Sequence, residues 1–310
     1  IPVLRSAIRD SIEKEMRCAA SDEQHASDEH AACKENDAPL ANHQTLTCDD
    51  TEKTIKAGDG QGLYLYGLAD TSVFERLGKI GIDGCEVYTI PHEGLSAIVH
   101  NSPVEPYKSD DDEIVKRWVK THQQVMDIAA ERFGNIMPFS FDTIIMPKDN
   151  ATAKETLMGW LSSEHEEIMK KMDRIKGKKE YGVQIFYTPS VVSERIEKES
   201  EEIRRIRDEM ASKPSGLAYM YKQKLENAVK VELDKLMDAY FKDFYGKIRR
   251  SAEDIKVEKV KKADDKRVMM MNLSVLASDE KALGQVLDEI EREEGISIRF
   301  TGPWQPYSFI

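Results

Sequence analysis

The sequence predicts an α+β protein of two domains, the second of them ferredoxin-like, and three observations carry that reading. From Lys179 to Phe300 the apolar pattern alternates between a period of two and a helical period in the order β-α-β-β-α-β, the ferredoxin-like succession. From residue 62 to residue 178 similar elements follow one another as β-β-β-α-β-α, a related α+β sandwich. All the aromatic residues (9 Phe, 3 Trp, 11 Tyr) lie at or beyond Tyr64, which sets the first 61 positions apart.

Those first 61 residues read as an acidic, largely disordered extension. Leu4, Ile8, Ile12 and Met16 recur every four residues and predict one short helix near 4–16. From Arg17 to Gln61 the only large aliphatics are Leu40, Leu46 and Ile55, too few to offset the entropy of ordering the chain. The first 60 residues carry seven Lys/Arg against thirteen Asp/Glu, half of the whole chain's net charge of −12.

Order begins at Gly62. The run Leu63-Tyr64-Leu65-Tyr66-Gly67-Leu68 is a buried strand by composition, and a glycine-punctuated stretch, Gly78 to Gly84, follows it. Residues 86–90 and 95–99 read as two strands joined through Pro91-His92-Glu93-Gly94 as a hairpin. Acidic residues at 110–113 sit where a helix N-terminus favours them, and an apolar stripe through Trp118, His122 and Met126 runs on to Gly134. Ile136 to Met146 is a strand, or two short ones interrupted by Pro138. One helix is expected from about Asn150 to Lys176.

The pattern restarts at Lys179. Tyr181 to Tyr187 reads as a strand, and a helix begins at Pro189 with Ile196, Ile203, Ile206 and Met210 on one face. Pro214-Ser215-Gly216 breaks it, and a long helix resumes through Leu225 and Phe244 to Ile248. Residues 255–260 alternate as a half-exposed strand, Asp264-Asp265 makes a turn, and 268–276 is a strand burying Met269, Met271, Leu273 and Val275. A helix over 279–294 and a strand over 296–300 complete the domain, and 301–310 is a separate aromatic and proline-rich tail.

Composition excludes several function classes. With 40% hydrophobic and 33% charged residues this is a globular chain with a heavily charged surface. No stretch approaches the roughly 18 uninterrupted apolar residues of a membrane helix, so no membrane partner is expected. A net charge of −12 repels duplex phosphates, and strands 255–260 and 268–276 lack the aromatics that RNA-recognition sheets stack on bases, so no nucleic acid is expected either. Four cysteines are too few for a disulfide scaffold, and no basic segment followed by an apolar run opens the chain; a cytoplasmic location is the expectation.

The search for chemistry returns no catalytic, cofactor or metal site. Cys18, Cys33 and Cys48 are spaced fifteen apart rather than in the close pairs zinc requires. Gly78, Gly81 and Gly84 lack the strand-turn-helix context of a phosphate loop, and His165 has no second histidine four residues on. His122, on the apolar stripe of its helix, reads as a hydrogen-bonded core histidine. An enzyme or small-molecule binder with a site in the cleft between the domains is the alternative class.

The tail is the most distinctive segment. Pro303 and Pro306 bar it from a central strand and favour an extended, polyproline-like path. Trp304, Tyr307, Phe309 and Ile310 would be an aggregation hazard if exposed, so folding back over the sheets at the junction of the domains is expected. Gly302-Pro303-Trp304-x-Pro306-Tyr307-Ser308-Phe309 resembles the C-terminal signature of the gas-vesicle accessory proteins of the GvpF/GvpL family. The similarity extends to the opening strand Leu63-Tyr64-Leu65-Tyr66-Gly67, to Leu95–Val99, to His122 and to the segment Met137–Ile144, covering about residues 62–309. Gln305, where the family more often has Pro, and Ser140 and Asp142, where it usually carries Arg and Gly, depart from the pattern.

The resemblance implies a non-enzymatic gas-vesicle assembly protein. Its implied partners are the small hydrophobic shell protein and other gas-vesicle accessory proteins, and its implied role is to limit aggregation during vesicle nucleation or to sit on the vesicle as a minor component. Trp304, Pro306, Tyr307, Phe309, Tyr64 and Tyr66 are the candidates for structural or partner-binding roles.

Overall fold

A computed structural model describes residues 61–212, 215–261 and 266–310. The expected extension, with its helix near 4–16, and the turn at Asp264-Asp265 lie outside the described residues. The chain divides into two compact units between Lys176 and Gly177.

The N-terminal unit holds strands β1 (Gln61–Ala69), β2 (Arg76–Gly78), β3 (Val87–His92), β4 (Leu95–Pro103), β5 (Ile136–Pro138) and β6 (Ile144–Ile145). They form one antiparallel sheet in the order β2-β3-β4-β1-β5, with β6 also on β1. β2 is too short to show a period, which is why patterning does not reveal it. The β3–β4 turn places Glu93 at φ 46° and Gly94 at φ 87°. Two successive left-handed residues are what a two-residue hairpin with the strands' own twist requires.

Helix α1 (Asp112–Phe133) starts at Asp111, whose side chain accepts the Glu113 amide, and stops at Gly134. Its residues Val125, Met126 and Ala129 pack on Tyr64, Tyr66 and Ile98. A Cβ at Gly67 would lie 2.9 Å from the Met137 carbonyl oxygen, which cannot swing aside, so glycine is needed there. The strand's alternate residues, Leu63, Leu65 and Leu68, are buried as well. Helices α2 (Ala153–Ser163) and α3 (His165–Ile175) contact β1, β5 and β6 and bring Leu157, Leu161, Ile168 and Met172 inside.

One helix was expected over 150–176; two are found. The break at Glu164 (φ −104°, ψ 7°) is where the β3–β4 turn is gripped from both sides. Ser162 Oγ lies 2.6 Å from His92 Nε2, and His165 Nε2 lies 2.8 Å from the Glu93 carbonyl oxygen.

The C-terminal unit contains strands β7 (Lys179–Tyr187), β8 (Asp254–Val257), β9 (Val268–Ala277) and β10 (Ile296–Trp304). The antiparallel order is β10-β7-β9-β8, that is, fourth, first, third, second along the unit. Helices α4 (Pro189–Glu199), α5 (Glu201–Ala211) and α6 (Ser215–Arg250) separate β7 from β8, and α7 (Glu280–Glu291) separates β9 from β10. The first helix after β7 was expected to run unbroken to about 213. It is interrupted at Ser200, which takes an extended conformation and caps α5, with Glu201 and Glu202 in the first turn where the helix dipole favours them.

Tyr181, Val183, Ile185, Met271, Leu273 and Val275 meet Phe244 and Ile248 of α6 and Leu283, Leu287 and Ile290 of α7 in one hydrophobic core. A smaller cluster joins Val192, Ile196 and Ile203 to the first half of α6. Two strand limits move from those expected. β8 stops at Val257, and β10 runs past Phe300 to Trp304, because an edge strand tolerates Pro303 where a central strand would not.

Candidate functional site

The segment singled out by sequence, 301–310, is built into the C-terminal sheet. Trp304 stands opposite Glu180 at the end of β10, after a register shift at Gly302-Pro303, whose peptide is cis. Gly302 has φ 122°, and a Cβ there would lie 2.9 Å from the Glu180 carbonyl oxygen, so only glycine fits. Beyond Trp304 the chain does not keep an extended path. It curls through Pro306 into a single 3-10 turn, Tyr307–Phe309.

The reason for the curl is Glu180. This residue is only 2% exposed, and both carboxylate oxygens are engaged by one serine: Ser308 donates its amide to Oε2 and its hydroxyl to Oε1, each at 2.7 Å. Lys179 Nζ donates to Gln305 Oε1 at 3.2 Å, and Lys256 Nζ reaches the Ser308 carbonyl at 3.4 Å. Register puts Glu180, Ser274 and Lys256 on the sheet face opposite Val183 and Leu273, so the helices cover one face and the tail folds over the other. Pro306 and Phe309 are buried; Trp304 and Tyr307 are half-buried. A buried carboxylate needs hydrogen bonds to offset its lost hydration, and the tail supplies them.

Tyr64 and Tyr66 lie in the other unit, fully buried. They organise a second constellation that sequence reading largely missed. Tyr66 accepts the Ile82 amide (3.1 Å) and bonds His100 Nδ1 (2.9 Å), whose Nε2 meets the Tyr107 hydroxyl (3.1 Å). Tyr64 accepts the Asp142 amide (3.0 Å) and bonds His122 Nδ1 (2.8 Å), and the His100 ring stacks on Tyr64 with centroids 4.9 Å apart. Asp142, held at φ 66°, returns its carboxylate to the Tyr107 amide at 2.9 Å.

Since each phenol oxygen already accepts a backbone amide, we take its O–H to donate to the neighbouring imidazole, which makes both Nδ1 atoms acceptors and both rings neutral. Burial acts the same way. It holds His100 down to about 3, with the neighbouring His122 adding to the shift, and holds His122 down to about 4, slightly countered by a hydrogen bond with the Phe139 backbone. Burial also pushes Tyr66 and Tyr107 above the usual phenol range.

The signal for His122 was its place on the helical stripe. The one for His100 was weaker: it required continuing the strand past Val99, where His100 shares the inward face of Ile98 and stands opposite Tyr64. Among the described residues no group of three or more His, Cys, Asp or Glu side chains is placed to hold a metal ion, and no helix is long and apolar enough to cross a membrane.

These features define a mixed α/β chain with two antiparallel sheets, one organised around a buried tyrosine–histidine network and the other strapped by its own C-terminus. The model of the family described as "Gas vesicle synthesis protein GvpL/GvpF" matches residues 62–310, and the chain belongs to that family. Gas vesicle protein L1 of Halobacterium salinarum is 29% identical, covering 85% of this chain and 94% of the relative. Gas vesicle protein F1 of the same organism is 25% identical over 81% of this chain and 93% of the relative. The fold is that of the crystal structure of gas vesicle protein GvpF from Anabaena sp., with a TM-score of 0.63 at 18% identity over 80% of this chain and 98% of that one.

Proposed function

We propose that this chain is a non-enzymatic assembly protein of gas vesicles, which binds the small hydrophobic shell protein and other accessory proteins in the cytoplasm and limits shell aggregation during nucleation. The observation that carries the reading is the family match over residues 62–310, which takes in both units and the tail. The greater similarity to L1 than to F1 favours an L-type role. The physical need is plain. A strongly apolar subunit must have its surface covered before it polymerises, and a charged soluble holder prevents indiscriminate collapse.

In this reading the C-terminal unit is a ferredoxin-like domain enlarged by α4 and α5; the fourth-first-third-second strand order supports it. Trp304, Pro306, Tyr307 and Phe309 act structurally, as does the Tyr64–Tyr66 pair, and partner contacts are made by other, exposed side chains. Capture of purified shell protein on the immobilised chain at moderate salt tests the function. Saturable capture that keeps the shell protein from sedimenting is expected; no capture and no change in sedimentation would overturn it.

A further inference from the structure

The two edges of the C-terminal sheet are built differently. Along β10 Ile296 donates its outward amide to the Glu293 carbonyl, Ile298 donates to the Glu291 carboxylate at 2.9 Å, and Pro303 has no amide. At the other side β8 pairs with β9 alone among the described residues. The Glu258 amide donates to the Asn272 carbonyl, which fixes the register and turns the backbone groups of Ile255 and Val257 to the open edge. The Asp254 carboxylate takes the Ile255 amide, and the next outward amide is that of Val257.

The side chains along this edge are also distinctive. Val257 lies on the helix-bearing face, opposite Leu273, yet is 55% exposed, as is Val260, and Val268 is 42% exposed. Lys256 lies on the other face, and Lys259 and Lys261 are exposed beyond it. Over residues 256–267 the chain carries six Lys/Arg against three Asp/Glu, a positive stretch in a protein of net charge −12.

We propose that β8 is a docking edge for an extended segment of a protein partner in which apolar and acidic residues alternate. The period-two code follows from the edge. A strand added beside β8 places every second side chain with Val257 and the others with Lys256. Lysines of this kind keep a second copy of the chain off the edge by like-charge repulsion while admitting an acidic strand. The inference rests on reading this chain as a partner-binding protein, and it names the class of partner.

The test uses the full chain and a synthetic peptide of alternating valine and glutamate, with a valine–lysine peptide and a block-ordered peptide of the same composition as controls. The alternating acidic peptide is expected to bind, to slow hydrogen exchange at the Val257 amide, and to bind more weakly as salt rises. Lys259→Glu with Lys261→Glu, both exposed, should weaken binding about tenfold or more. Val257→Pro, which deletes the docking amide, should abolish it in a chain whose circular dichroism is unchanged. Absent binding, equal binding of the lysine peptide, or insensitivity to charge reversal would overturn the proposal. So would a Val257 amide already protected in the full chain and released by removing residues 1–60, because the chain's own extension would then fill the edge. The peptide measurement uses no shell protein, so its failure removes the edge assignment alone, and a failed shell-protein capture removes the functional reading alone.

Discussion

The two sheets solve the same problem with opposite chemistry. In the N-terminal unit, the face of β1 turned to α1 is lined by tyrosines and histidines that satisfy one another through Tyr66–His100–Tyr107 and Tyr64–His122. In the C-terminal unit the helix-covered face is packed mainly with aliphatic side chains, and on the opposite face a buried carboxylate, Glu180, is closed off by Ser308. A network distributed through a core makes its stability sensitive to protonation. A single buried charge met by a chain terminus makes the sheet depend on a few residues far away in sequence. Each unit is therefore vulnerable at a different place.

Acid gives the largest expected effect and separates the units. The histidines are neutral in the fold and ordinary in the unfolded chain, so the unfolded state binds more protons below about pH 6.5. Their contribution is complete above that pH. It is lost as pH falls toward 4 for His122 and toward 3 for His100, at about 1.4 kcal/mol per pH unit for each. Urea unfolding from pH 7 to 4.5, followed by exchange of β1 and β4 amides, should show this steep limb. Replacing both histidines by Phe should flatten it while lowering stability at pH 7, because the Tyr64 and Tyr66 hydroxyls lose their partners.

Breaking the strap comes next. Glu180→Gln puts an amide group against the Ser308 donors and should cost about 2 kcal/mol. Because the residue it pairs with is in the tail, the same loss should appear in Ser308→Pro, and the two should be far from additive when combined. The smallest effect is local. A methyl at Gly182 would meet Thr301 Oγ1 at 2.5 Å. Gly182→Ala should therefore cost about 1 kcal/mol and be largely restored by Thr301→Ala, measured as a shift in denaturant midpoint.

How much of this was legible follows from which interactions are local. The helix and strand positions from Gly62 onward could be read because one period covers each element, and His122 because it sits on a stripe. The kinks at Glu164 and Ser200 could not. The first depends on His92 and Ser162 meeting across 70 residues, the second on one serine turning from helix to cap. The network is split among β1, β4, α1 and the Phe141–Asp142 turn, so no window contains it. The tail was conspicuous from its own composition, but its anchor, Glu180, is 128 residues away and reads in sequence as one more acidic residue beside a strand. Burial of a charge is a tertiary property.

On our proposal the aromatic tail straps the C-terminal sheet rather than serving as a free contact for partners. Phe309, only 5% exposed, is the residue on which to test it. Phe309→Ala should accelerate amide exchange along β7 and β9 in the full chain, while the capture of shell protein, measured on the same folded sample, persists. Unchanged exchange along β7 and β9 together with lost capture would contradict the account and make the tail the contact surface itself.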